Sequence, residues 1–86
     1  MNRVTNAAIR VQGLIISMPR PARHPEIIKR LNTNLNDKIT VKPSEQGFVD
    51  LEGNFLSRHD ASELALEAGQ IPYRNRSNEL FTEDLF

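Results

Sequence analysis

"QGFVDLEGNFLSRHDASELALEAGQI", Gln46 to Ile71, reads as a hairpin that runs straight into a capped helix. "QGFVD" and "NFLS" are β-rich runs joined at Leu51-Glu52-Gly53, where glycine supplies the positive φ of a tight turn. Ser57 is a good N-cap, and Asp60 three residues on completes a capping-box pattern. Ala61, Leu64, Ala65 and Ala68 line one helical face, and Gly69 stops the helix. The expectation is a hairpin over about Gln46 to Ser57 and a helix over about Arg58 to Ala68. Its alanine face allows close approach of the sheet, another helix or a second subunit. Arg58 and His59 run against this grammar, because the first helical turn disfavours cations. Either Asp60 and Glu63 neutralise them, or an anionic ligand or a partner subunit shares the junction.

Upstream, "VTNAAIRVQGLIISM" (Val4 to Met18) holds two β-rich runs broken by Gln12-Gly13. Ala7, Ile9 and Val11 alternate with polar positions, as in a half-buried strand, while "LIISM" is continuously apolar. The glycine supports a hairpin between them. Pro19, Pro21 and Pro25 interrupt any regular element. A helix then extends from Pro25 to Leu35, with Ile27, Ile28, Leu31 and Leu35 on one face. "KITVKP" is a short strand or extended loop closed by Pro43. The tail, residues 70–86, is polar, then apolar and acidic. The element order ββαβ(β)βα predicts one α+β domain over residues 1–86, a small antiparallel sheet built from hairpins with two α-helices.

A chain of 86 residues without cysteine has a thin core and no disulfide to support it. Two histidines do not complete an imidazole-rich metal site, so no metal or cofactor is expected. By elimination, oligomerisation is the expected source of further burial. Eleven basic residues balance eleven acidic ones, which disfavours coating of nucleic acid. Arginine outnumbers lysine eight to three. This reflects either genome composition or bidentate recognition of phosphate and carboxylate. No apolar run approaches the ~18–20 residues of a membrane span, and the start lacks a signal-peptide core. A soluble intracellular protein is expected.

Arg20, Arg23 and His24 precede a helix N-terminus, where free N–H groups favour an anion. They form a phosphate pocket, or a solvated loop with His24 standing in for an N-cap. Phe48 and Phe55 are core residues of the hairpin or platforms for a nucleobase, and Gly47 admits close approach of a ligand or another chain. Tyr73, Arg74 and Arg76 form a loop able to close over a site. Glu83 and Asp84 are a solvated acidic end, partners for the arginines, or acceptors of ribose hydroxyls. No nucleophile elbow, phosphate loop or metal signature is present, so no catalytic residue is assigned.

"AAIR…G", "RHPEII", "EQGFVDLEGNFLSRHDASELALEAGQI" and the terminal "LFTEDLF" occur in this order. With them the chain resembles the phage Thoeris anti-defence sponges of the first type, from about Ala7 to Phe86. The resemblance implies a non-enzymatic α+β homo-oligomer, a dimer or a hexamer of dimers, in the cytoplasm of the infected bacterium. It implies sequestration of a cyclic ADP-ribose isomer made by TIR enzymes, and in some members of CBASS cyclic oligonucleotides. By position it implies Arg23 on a ligand phosphate, with His24 beside it. Phe48 would stack the adenine, and Arg58 would enter the site from the second helix. Arg74 or Arg76 would supply a late phosphate contact across a subunit boundary, and Asp84 would accept a ribose hydroxyl. The short linker between Leu35 and Gln46 and the prolines of "MPRPA" depart from longer members, which bears on the loop-borne contacts and on the choice of ligand. The alternatives are an inhibitor of a host protein, with Leu80, Phe81, Leu85 and Phe86 as an exposed apolar patch, and a nucleic-acid-binding phage regulator.

Overall fold

The computed structural model describes residues 1–33 and 40–85. Leu35 and Phe86, expected on the first helix and at the tail's end, lie outside the described residues, as do Lys38 and Ile39 of "KITVKP". The elements are β1 (Val4–Val11), β2 (Leu14–Ser17), α1 (His24–Thr33), β3 (Gln46–Asp50), β4 (Phe55–Ser57) and α2 (Arg58–Glu67). The expected α+β class with one antiparallel sheet and two helices is what forms. Thr40 to Lys42 have no regular structure, and a 3-10 turn follows at Pro43–Glu45.

The strand order is β2-β1-β3-β4, antiparallel throughout. Gln12 and Gly13 both have positive φ, 52° and 81°, which makes the first turn type I′ and matches the twist of the strands it joins. Val4 and Ala7 both reach the core although three residues apart, because the β1–β3 register shifts between Val4 and Asn6. The second turn is organised by buried Asp50. Its carboxylate accepts from the Glu52 and Asn54 amides at 2.9 Å each, from Asn54 Nδ2 at 3.3 Å and from Asn2 Nδ2 at 3.0 Å. Those bonds, Asn2 first, hold its pKa below the ordinary carboxylate value despite burial.

α2 begins as its sequence predicts, with Ser57 Oγ accepting from the Asp60 amide at 3.1 Å. It ends in a Schellman motif: Gly69 N–H reaches Leu66 O (3.1 Å) and Gln70 N–H reaches Ala65 O (2.8 Å). The Gln70 amide then bonds both the N–H and C=O of Val4, at 2.9 and 2.8 Å, and so ties the helix exit to the start of β1. Val4, Ala7, Ile9, Val11, Ile27, Phe48, Ala61, Ala65 and Leu80 form one core. Ala61 and Ala65 are completely buried, so the alanine face of α2 lies against its own sheet.

The tail packs back on its own chain. The Leu80 amide donates to the Arg58 carbonyl at 2.8 Å, and the Leu80 side chain is completely buried. Leu85 packs against the core. Of the described residues in the apolar patch expected of a host-protein inhibitor, Leu80 and Leu85 therefore pack on the core, while Phe81 is half-buried beside the Arg58 guanidinium. Among the described residues no helix is long and apolar enough to cross a membrane.

Candidate functional site

Three of the site residues expected from sequence meet, and a strand, a helix start and the tail bring them together. His24 opens α1 and is buried. Its Nε2 lies 2.7 Å from Gly47 O, and its ring stands edge-on to Phe48 at 5.4 Å and 74°. A carbonyl only accepts, so Nε2 carries the proton and Nδ1 presents a lone pair. That lone pair faces Arg58 Nη2 at 3.5 Å. The same Nη2 donates to Gln46 Oε1 at 3.1 Å, and the guanidinium lies 5.3 Å from the Phe81 ring centre. Arg58 Nε is buried without a hydrogen-bond partner. No carboxylate pairs with Arg58 among the described residues. Glu63 instead faces His59 at 3.6 Å and Arg74 at 3.8 Å. Of the two carboxylates expected to neutralise the junction, only Glu63 thus faces His59, and neither pairs with Arg58 among the described residues.

An open pocket of about 330 Å³ lies at this helix start, lined by Pro43, Ser44, Gln46, Ser57, Arg58, His59 and Glu79. It combines a guanidinium, the N-terminal end of a helix, two hydroxyls, an amide and one carboxylate. Arginine and helix terminus suit an anion, while Glu79 and the serines suit hydroxyl groups.

The other expected residues lie elsewhere or do other things. Phe48 is completely buried. It is a core aromatic, not a platform for adenine, because it sits on the sheet face that the helices cover. His24 has both ring nitrogens engaged and is neither a solvated cap nor a phosphate ligand. Arg23 accepts at its carbonyl from Glu26 and Ile27 at the start of α1 and does not line the pocket. Arg74 braces the tail against α2: Nε donates to Ser62 Oγ at 3.0 Å, and Nη2 donates to Asn78 O at 3.2 Å and faces His59 Nδ1 at 3.1 Å. Arg76 is exposed and outside the pocket. Asp84 closes a 3-10 turn by accepting from the Phe81 amide at 2.9 Å, and lines a separate pocket of about 210 Å³. Glu79 lies on the wall of both pockets. The close approach at Gly47 comes from β4, not from a ligand: a Cβ there would meet the Leu56 carbonyl and Phe55 Cζ. Gln46, Phe81 and Glu79 were not expected. Their types carry no signal of their own, and only the packing of β3 and the tail around Arg58 selects them. His59, Asp60 and Glu63 place ligand atoms within 4.8 Å of one another, but all are exposed and Arg74 faces Glu63, so they carry no metal assignment.

Burial holds the His24 pKa below its ordinary value, and the Arg58 charge adds to that; the Gly47 bond and Glu83 oppose it. The unfolded chain therefore takes up a proton near pH ~6.5, where the folded chain does not. Stability should be level above that pH and fall as pH drops from about 6.5 through the depressed folded value. Thermal melts between about pH 7 and 5 should show this decline in the wild type. The His24→Gln variant, less stable throughout, should lack that component; an unchanged slope would exclude His24 as its source.

A model of the Phage T4 y16D protein family matches residues 3–86. No curated protein and no solved structure matches the chain. With the match running over nearly its whole length, the chain belongs to the phage T4 y16D protein family.

Proposed function

We propose that this phage protein captures an anionic, nucleotide-like ligand at the Arg58 pocket and holds it without turnover. The observation that carries this reading is Arg58 itself: a cation at the N-terminus of a helix, with a buried and unpartnered Nε and no carboxylate partner among the described residues. An anion there offsets the cost of that placement. Glu79 and the two serines beside it favour a ligand with hydroxyl groups over bare phosphate. The resemblance to Thoeris anti-defence sponges makes a cyclic ADP-ribose isomer the first candidate and CBASS cyclic oligonucleotides the second. Sequestration of such a signal in the cytoplasm of the infected bacterium keeps the defence effector off.

Purified protein incubated with a panel of these nucleotides should deplete one of them from solution, and heat should release it intact. A new product peak would make the protein an enzyme, and no depletion would remove this reading. A charge-assisted hydrogen bond is worth about 1.5–3 kcal/mol. Arg58→Ala should therefore weaken binding by about 10- to 100-fold. Arg76→Ala, outside the pocket, should leave binding within about twofold, as read by isothermal titration calorimetry.

A further inference from the structure

Arg58 is held in place, but by groups without negative charge. Its Nη2 donates to Gln46 Oε1 at 3.1 Å and lies 3.5 Å from His24 Nδ1, and its guanidinium sits 5.3 Å from the Phe81 ring centre. Its own carbonyl accepts from the Leu80 amide at 2.8 Å. Both side-chain acceptors are set by the start of β3. Gln46 is the first residue of that strand, and its Nε2 donates to the Val41 carbonyl at 3.3 Å, which leaves Oε1 for Arg58. Gly47 is the second, and its carbonyl accepts from His24 Nε2 at 2.7 Å, which leaves the Nδ1 lone pair for Arg58.

Buried charges are ordinarily paired, and a carboxylate grips arginine bidentately and cancels its field. Glu79 shares the pocket without making an ion pair to Arg58. A neutral amide accepts the same N–H bond and cancels nothing, and the N-terminal end of α2 adds to the positive field. We propose that Gln46 is the specificity-determining residue of this pocket: together with His24 it fixes the Arg58 guanidinium without neutralising it, and so reserves that charge for an anionic group; this rests on the reading of the pocket as an anion site. An acceptor of the same shape that carries its own negative charge would close the site.

Gln46→Glu is that acceptor. At about pH 7.5, well above the carboxylate range, it should pair with Arg58. It should weaken binding of cyclic ADP-ribose, or of linear ADP-ribose if that is the probe bound, at least about tenfold by isothermal titration calorimetry. Its Tm should stay within about 5 °C of the wild type. A merely structural Gln46 would lower Tm and spare the affinity of the folded protein. Adding Glu79→Gln returns the pocket to its original charge but leaves Arg58 paired, so affinity should stay low. If Gln46→Glu fails to fold, Gln46→Met decides: it frees the guanidinium and should weaken binding about two- to tenfold. NMR of the arginine side-chain nitrogens in the unliganded wild type should show separate Arg58 Nη signals, because a held guanidinium turns slowly about its Cζ–Nε bond, and Gln46→Met should average them. Failure of the wild type to bind either probe would remove the capture reading and this inference with it. Wild-type binding with undiminished affinity in Gln46→Glu, full recovery on adding Glu79→Gln, or Arg58 signals indifferent to Gln46→Met would overturn this inference alone.

Discussion

Phe48→Ala should cost about 3–5 kcal/mol and leave much of the chain unfolded at room temperature. Phe48 is completely buried on a central strand, in contact with the His24 ring. An alanine leaves a cavity that neither the sheet nor α1 can close without breaking the bond from His24 to Gly47. Urea denaturation followed by circular dichroism measures the loss. Phe48→Leu keeps most of the volume and should cost less than about 2 kcal/mol. That milder variant also tests whether Phe48 does more than fill the core. If Phe48 only fills the core, Phe48→Leu binds nucleotide within about twofold of the wild type; a hundredfold loss, about 2.7 kcal/mol, would return the ring to a stacking role.

Gly47→Ala should destabilise by about 3 kcal/mol, the upper end for overpacking. For a domain of this size that is a fall of roughly 12–24 °C in Tm. The added Cβ would meet the Leu56 carbonyl and lie 2.8 Å from Phe55 Cζ. A ring can turn aside, but a carbonyl within the β3–β4 ladder cannot, since Gly47 pairs with Ser57 and Phe48 with Leu56. Displacing β3 would also carry the Gly47 carbonyl away from His24. Phe55→Leu in the Gly47→Ala background should therefore recover only part of the loss. Full recovery, read by thermal melting, would mean that the ring alone excludes a side chain at position 47.

Much of the fold is legible in short stretches. The Ser57 cap, the Gly69 stop and the turns at Gly13 and Gly53 are each determined by two to six neighbouring residues, and they form where the sequence puts them. The α1 boundary moves by one residue at its start, since the Arg23 carbonyl already accepts from Glu26 and Ile27. The register shift near Thr5 was not legible, because Thr5 bonds strand carbonyls at Val49 and Asp50 that are distant in sequence. The same limit applied to the site. "RH" ahead of α1 and "RH" at the start of α2 look equivalent as text. One histidine is buried between strand and helix, and the other lies on the surface beside Arg74.

Local sequence was enough for the order of the elements, the start and stop of α2, the two-residue turn at Gln12-Gly13, the amphipathic helix faces and the anomaly of cations at the start of α2. These follow from backbone freedom, capping and periodicity, which act over a few residues. That Phe48 faces inward while Phe55 turns out over Gly47 beneath Arg10, 4.8 Å from its ring, depends on how the elements pack. Alternation creates two faces of a strand but does not say which one the helices cover. Likewise, only the docking of β3, α1 and the tail around Arg58 left its Nε buried without a partner, because whether a cation is paired depends on groups brought to it from across the chain.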